Sequence, residues 1–270
     1  MLPDVLRIDD IFSDLRRREA KAIMPFLTAG DPDVATTAKV IESVAAAGAS
    51  VCEIGIPFSD PIADGPVIQA SMTRALDGGV RVDAVIEAVR GVRSRTGVGL
   101  VAMCSYSIVH RRGLDAFCRT VADAGFDGLI LPDLSLEESP PARDAAKRHG
   151  LSLSLLIAPT TPVERAQRIA EASTGFVYVV SRKGITGESA ALPPELPERL
   201  EAIRRATDLP LAVGFGLSTA DQVRAVVKEA DAAIVGSALV RRIHEAHEAG
   251  RDAAAEAGRF TAELAEGLNG

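Results

Sequence analysis

Eight short runs rich in Val, Ile and Leu recur along the chain at intervals of roughly 20 to 30 residues, and nothing else in the sequence restricts the fold as much. They read AIMPFLT, SVCEI, VGLVAMC, GLILPD, LSLSLLIA, FVYVV, LAVGFG and DAAIVG. Helical periodicity fills stretches between them, at Val34 to Ala47, Leu114 to Ala124, Pro162 to Ala172, Pro197 to Ala206 and Thr219 to Ala230. Strand followed by helix, repeated, requires parallel pairing with right-handed crossovers. Strands apolar on both faces, eight times over, predict a (β/α)8 TIM barrel. The alternative is an open doubly wound sheet, which would usually carry GxGxxG after its first strand; this chain has FLTAGDPD there. No linker or low-complexity tract divides the 270 residues, so residues 1–270 read as one barrel domain. Ile8 to Ala20 reads as an extra N-terminal helix under the barrel floor.

The formal net charge of −7, without a run of Lys or Arg interleaved with aromatics, argues against nucleic acid or an anionic membrane as the main partner. Any anion must then be held locally. No window approaches twenty uncharged apolar residues, and the charged N-terminus is unlike a signal peptide, so a cytoplasmic protein is expected. Cys52, Cys104 and Cys118 are odd in number, widely spaced and set among apolar residues, and read as small core residues.

Glu53 interrupts the second apolar run. Alternation puts Val51 and Glu53 on one face and Cys52 and Ile54 on the other, and both faces of a barrel strand are enclosed. A dry carboxyl is costly unless paired, and desolvation raises its pKa toward the range of a proton donor and acceptor at neutral pH. The other reading is a structural Glu tied to a core Arg or Lys, yet neighbouring runs offer no basic residue at that depth. Asp60 and Asp64 follow in PFSDPIADGP, where Asp-Pro and Asp-Gly are ordinary turn formers. Asp64 also falls at the barrel mouth beside Glu53, and two carboxyls in unlike surroundings can divide into a proton shuttle and a fixed charge, with Asp64 kept ionised by a wetter loop.

Three glycine-bearing stretches close the later strands: SRKGITGES, VGFGLS and IVGSALV. Glycines admit backbone N–H groups close to an anion. Gly236-Ser237, opening a short phosphate-binding helix after the eighth strand, adds a positive helix end and a hydroxyl. Each stretch alone is equally well a tight turn; together, at matching strand ends, they point to a phosphate.

The whole chain resembles the tryptophan synthase alpha subunit family. MPFLTAGDPD, CEIGIPFSDPIADGPVIQ, GLILPDLSLEES, FVYVVSRKGITG and LAVGFGLSTADQV carry the likeness, in order. The resemblance implies a lyase of tryptophan biosynthesis that cleaves indole-3-glycerol phosphate to indole and glyceraldehyde 3-phosphate by a retro-aldol reaction, with neither metal nor organic cofactor. It implies Glu53 as the acid/base, Asp64 as a second catalytic carboxylate and Tyr178 as the glutamate's neighbour. Phe26 and Phe215 would flank the indole ring, while Gly187, Gly216, Gly236 and Ser237 would hold the phosphate. The implied assembly is an α2β2 complex whose beta subunit carries pyridoxal phosphate, with Asp60 and Asp133 at interface loops. The segment 182–197 would be a lid over the phosphate.

One loop departs from the family. After the tyrosine of MCSYSIVHRRG, Ser107 and Ile108 replace a frequent Asn-Pro, which leaves the local shape of that loop open. His110 in the same loop reads as solvated, and His244 and His247 as members of a charged helix rather than metal ligands. Rival functions are another phosphate-binding barrel isomerase, a stand-alone lyase releasing free indole, and a weakly catalytic subunit kept to activate a partner. A pure scaffold would have no use for a buried carboxyl.

Overall fold

A computed structural model describes residues 7–61, 64–181, 193–214 and 216–269. The strands are β1 (Ala22–Thr28), β2 (Val51–Gly55), β3 (Gly99–Met103), β4 (Gly128–Ile130), β5 (Ser152–Ser154), β6 (Leu156–Ile157), β7 (Val177–Val180), β8 (Leu211–Gly214) and β9 (Ala232–Val235). All pair in parallel, in the order β5-β4-β3-β2-β1-β9-β8-β7-β6. The run LSLSLLIA supplies both β5 and β6. At Leu155 its backbone leaves the β4 ladder: the N–H donates to Ser173 Oγ at 3.3 Å and the carbonyl accepts from Tyr178 N–H at 3.2 Å. One kinked barrel strand therefore bridges the two sheet ends, and the eight expected strands close into a nearly complete cylinder.

Side-chain alternation sorts the core into two shells. Ile23 and Leu27 of β1, Cys52 and Ile54 of β2, and Val177 and Val179 of β7 face the helices in the outer shell. Ala22, Met24 and Phe26, then Val51, Val101, Met103, Tyr178, Ala212 and Ile234, fill the cylinder. The three cysteines are buried and free, as small core residues.

Four of the five helices read from periodicity end within two residues of expectation, for example Val34–Ala46 and Val163–Ala172. The fifth is shorter. Thr219 caps it, in a reciprocal capping box with Gln222, and the regular helix Ala220–Val227 stops three residues before Ala230.

The floor is plugged and tied. The N-terminal helix Arg7–Arg17 inserts Ile8 and Phe12, both buried, and Phe12 meets Phe176 at a ring distance of 6.0 Å. Gly99 allows this: a Cβ there would lie 2.9 Å from the tips of Ile8 and Ile11. Two aspartates repeat one device half a barrel apart. Asp127 accepts from Leu100 N–H at 2.8 Å and from Arg93 at 2.9 Å; Asp231 accepts from Leu211 N–H at 2.9 Å and from Arg204 at 2.8 Å. Each arginine ends the helix before the strand whose N-terminal end is tied, at the second residue of β3 and the first of β8.

Phe12→Ala would open a cavity between the plug and the barrel. The expected loss of stability is about 3–5 kcal/mol, to be read from urea unfolding against wild type.

Candidate active site

The C-terminal mouth of the barrel holds a pocket lined by Phe26, Asp64, Leu156, Tyr178, Gly216, Gly236 and Ser237, with Ile68, Met103, Pro132 and Ile234 completing its wall. Below it lies Glu53, on the inward face of β2 and fully buried. Strand register sets Glu53 level with Phe26 of β1 and Val101 of β3. Among the described residues neither carboxyl oxygen has a hydrogen-bond partner and no cation pairs with it. Burial alone pushes its pKa well above the ordinary 4.5. Burial therefore favours the neutral acid at Glu53, and none of the described residues is the structural arginine or lysine that the alternative reading required.

Phe26 keeps this acid dry. Its ring lies over Gly55, the next inward residue above Glu53, where a Cβ would come within 2.5 Å of Phe26 Cζ. Tyr178 stands on β7, level with Ala212 of β8, and is buried. Its hydroxyl reaches Gly214, where a Cβ would sit 2.6 Å from the phenol oxygen. Burial first, then Glu53 and Asp64, raise the phenol's pKa, which places all three groups within electrostatic reach of one another.

Asp64 lines the pocket from the loop after β2, just before the helix Pro66–Asp77. Its surroundings are drier than the wet loop expected from the sequence, because burial pushes its carboxyl up to about 6. The carboxylate still predominates at pH 7 by about ten to one. The two acids thus differ as a proton donor and a fixed charge must, but through degrees of burial rather than burial against solvation.

Gly236 and Ser237 open the 12-residue helix Ser237–Glu248. Its first internal bond runs from Val240 N–H to the Gly236 carbonyl at 3.0 Å, so the N–H groups of the first turn precede the ladder at the pocket's edge. Gly216 faces the same space with a left-handed backbone, φ +85°. Gly187 and Phe215 lie outside the described residues, as does most of the expected lid, residues 182–192.

Asp60 and Asp133 are brought to a neighbouring cavity of about 240 Å³ that shares Asp64, Met103 and Pro132 with the first. Asp60 is exposed and accepts from Ser59 Oγ at 2.6 Å. Asp133 has an internal task as well: it accepts from Tyr106 N–H and Ser105 Oγ, both at 2.7 Å, binding the loop after β4 to the atypical loop after β3. That loop is a short helix, Tyr106–Arg112, capped by Ser105, whose hydroxyl lies 2.8 Å from Ser107 Oγ. His110 is exposed. His244 and His247 lie on the helix Ser237–Glu248, and among the described residues no cluster of His, Cys, Asp or Glu is arranged to hold a metal.

The sequence reading missed Gly55 and Gly214, because a glycine that makes room for another side chain carries no local signature. Gly214 had been grouped with the phosphate glycines of VGFGLS; only Gly216 of that pair lines the pocket. Met103, Leu156 and Ile234 were also missed, although alternation from a known inward residue on each strand would have found the first and last.

The sequence profile of the family described as tryptophan synthase alpha chain matches residues 12–269. The tryptophan synthase alpha chain of Synechococcus sp. (strain CC9902) is 46% identical over 254 residues, 94% of each chain. That of Rhodopirellula baltica is 42% identical over 261 residues, 96% of this chain and 94% of the relative. Among solved structures, tryptophan synthase subunit alpha from Legionella pneumophila superposes with a TM-score of 0.90 at 35% identity, covering 98% of this chain and 99% of the other. A chain of Mycobacterium tuberculosis tryptophan synthase gives 0.89 at 35%, with the same coverage. Matched over nearly its whole length by the family profile and by relatives at this identity, the chain belongs to the tryptophan synthase alpha chain family.

Proposed function

We propose that this chain is the alpha subunit of a tryptophan synthase and cleaves indole-3-glycerol phosphate to indole and glyceraldehyde 3-phosphate, a carbon–carbon lyase reaction of tryptophan biosynthesis. The observation that carries the reading is Glu53: a fully buried carboxyl with no hydrogen-bond partner at either oxygen among the described residues, under a pocket where Asp64, Tyr178 and Ser237 stand among apolar side chains. Such a group is poised to give up a proton and recover it.

Protonated Glu53 delivers its proton to indole C3, which turns the ring into a cationic indolenine. Asp64, as a carboxylate, accepts a hydrogen bond from the ring N–H and stabilises the positive charge as it develops. The bond between C3 and the glycerol chain then breaks, its electron pair returning to the ring. Glu53, now ionised, takes the proton from the hydroxyl on the departing side-chain carbon, whose O–H pair becomes the carbonyl of glyceraldehyde 3-phosphate. One proton has entered and one has left, so Glu53 is ready for the next turnover. Tyr178 fills the side of the cavity facing both carboxyls. Phe26, with Phe215, would flank the ring.

The phosphate end is assigned to Gly216, Gly236 and Ser237, joined by Gly187. Backbone N–H groups and one hydroxyl suffice there, which suits a chain of net charge −7. The chemistry as written calls for no metal or organic cofactor on this chain, pyridoxal phosphate being assigned to the partner. That partner is a tryptophan synthase beta subunit, in an α2β2 assembly, with Asp60 and Asp133 facing it; the alpha-chain name of the relatives and the cavity these aspartates share with Asp64 support this. Residues 182–197 are assigned as the lid, and the cytoplasm as the compartment.

The decisive assay is indole release from indole-3-glycerol phosphate, with and without a pyridoxal-phosphate beta subunit. A stand-alone lyase would turn over rapidly alone and be unmoved by the partner. Glu53→Gln is expected to lower kcat/KM by about 10²- to 10⁴-fold; near-wild-type activity refutes the role. The same substitution should make the protein more stable at neutral pH. Because the folded-state pKa lies above the unfolded 4.5, folding holds the proton that the unfolded chain releases, so wild type loses stability as pH rises from about 4.5. Urea unfolding of both proteins at pH 4.5 and 7.5 reads the difference, and equal pH dependence contradicts it.

For Asp64 the active form is the carboxylate, so kcat/KM should fall as pH drops through about 6, and a profile flat to pH 4.5 while the protein stays folded excludes that role. Gly214→Ala, whose added methyl occupies the place of the Tyr178 hydroxyl, is expected to lower kcat/KM by about 100-fold. Wild-type kinetics for this variant would show that the placement of the phenol does not matter.

A further inference from the structure

Asp64 has a support that neither the fold nor the assigned chemistry accounts for. The helix Pro66–Asp77 begins with Gly65 as its N-cap, which contributes no side-chain cap. Gln69, in the helix's second turn, reaches back past this end. Its side-chain amide donates to the Asp64 carbonyl at 2.8 Å and toward the Pro61 carbonyl at 3.4 Å, while Asp64 N–H itself donates to Pro61 O at 3.0 Å. Its own backbone N–H is already used on the Gly65 carbonyl at 2.9 Å, so the side chain adds nothing to the helix ladder. A half-buried amide is thus spent wholly on the two carbonyls that bracket the turn carrying Asp64.

The helix that carries Gln69 is itself fixed to the barrel. Ser71 Oγ and Thr28 Oγ1, both buried, lie 2.6 Å apart, joining the helix to the C-terminal end of β1. One turn on, Arg74 makes a two-pronged contact with Asp31, at 3.0 and 2.6 Å, and the Asp31 side chain is 3% exposed. Gln69 therefore pulls from a rigid base. Asp64, by contrast, stands in a loop rich in Pro and Gly.

We infer that Gln69 is a positioning residue: its side-chain amide holds the main chain of Asp64 at the distance from which the carboxylate meets the substrate's ring N–H. This rests on the function proposed above. A group that only orients a transition-state stabiliser acts on kcat, whereas a group that merely shapes the pocket acts on KM.

The test uses the full-length chain with its beta subunit and indole-3-glycerol phosphate. Gln69→Met keeps the length and removes the donors; Gln69→Glu keeps size and polarity and removes them too, so the second reads the question should the first fail to fold. Both are expected to lower kcat by about 10- to 100-fold with KM within about twofold of wild type. In an Asp64→Asn background the same substitutions should cost less than about twofold more, since there is no carboxylate left to place. Unchanged kcat in both variants, a rise in KM alone, or a full further loss in the Asp64→Asn background would each overturn the inference. Wild-type enzyme that releases no indole would instead refute the function on which it rests.

Discussion

The burial of Glu53 without a partner is the condition on which the rest of the site depends. A carboxyl in this position is costly to ionise, and nothing among its described neighbours reduces that cost. The same desolvation that weakens folding lets the group keep a proton to donate at higher pH than an ordinary carboxyl can. A nearby arginine would remove the penalty and the reactivity together. The closed parallel barrel makes such a position possible: its interior is mostly apolar, and Phe26 is seated over Gly55, the next inward residue of the same strand.

The two carboxyls are separated by depth. Glu53 lies beneath the pocket and Asp64 on its wall, and their pKa values rise in that order of burial. Tyr178, within electrostatic reach of both, extends its hydroxyl into the space Gly214 leaves empty. Substrate enters from above, so the ring would meet the fixed charge at the wall and the proton donor at the floor. Gly216, Gly236 and Ser237, the proposed phosphate donors, line the same pocket and are neutral, so they would leave the acids' electrostatics undisturbed.

Most of the architecture was legible because barrel strands announce themselves: eight apolar runs at even spacing leave few topologies, and alternation on β2 fixes which face Glu53 shares. The kink at Leu155 was not, since it depends on Ser173 Oγ, eighteen residues on, accepting the N–H that leaves the β4 ladder. Of the site, Glu53, Asp64 and the later glycines stood out as polar or flexible residues in places that favour neither. Gly55 and Gly214 did not, because their meaning lies in the atoms of Phe26 and Tyr178 across a strand pair. The dryness of Asp64 was likewise hidden: an Asp-Gly turn reads as wet, and only the folded pocket encloses it.

The two ends of the barrel are stabilised by opposite means, and this division suits the chemistry. At the floor, Asp127 and Asp231 each receive an arginine and an N–H from the start of a strand, a device repeated half a barrel apart, and the N-terminal helix seals the space with Ile8 and Phe12. Both of these half-buried carboxylates have an arginine mate. At the mouth the order is reversed: Glu53 has no mate, and the groups around it are held by indirect ties such as Thr28 to Ser71 and Asp31 to Arg74. These ties run between the β1 end and one helix rather than to the acid itself, so rigidity reaches the site without neutralising it. Ties placed away from Glu53, at the floor and between the β1 end and one helix, leave that acid without a charged mate among the described residues, as its proposed role requires.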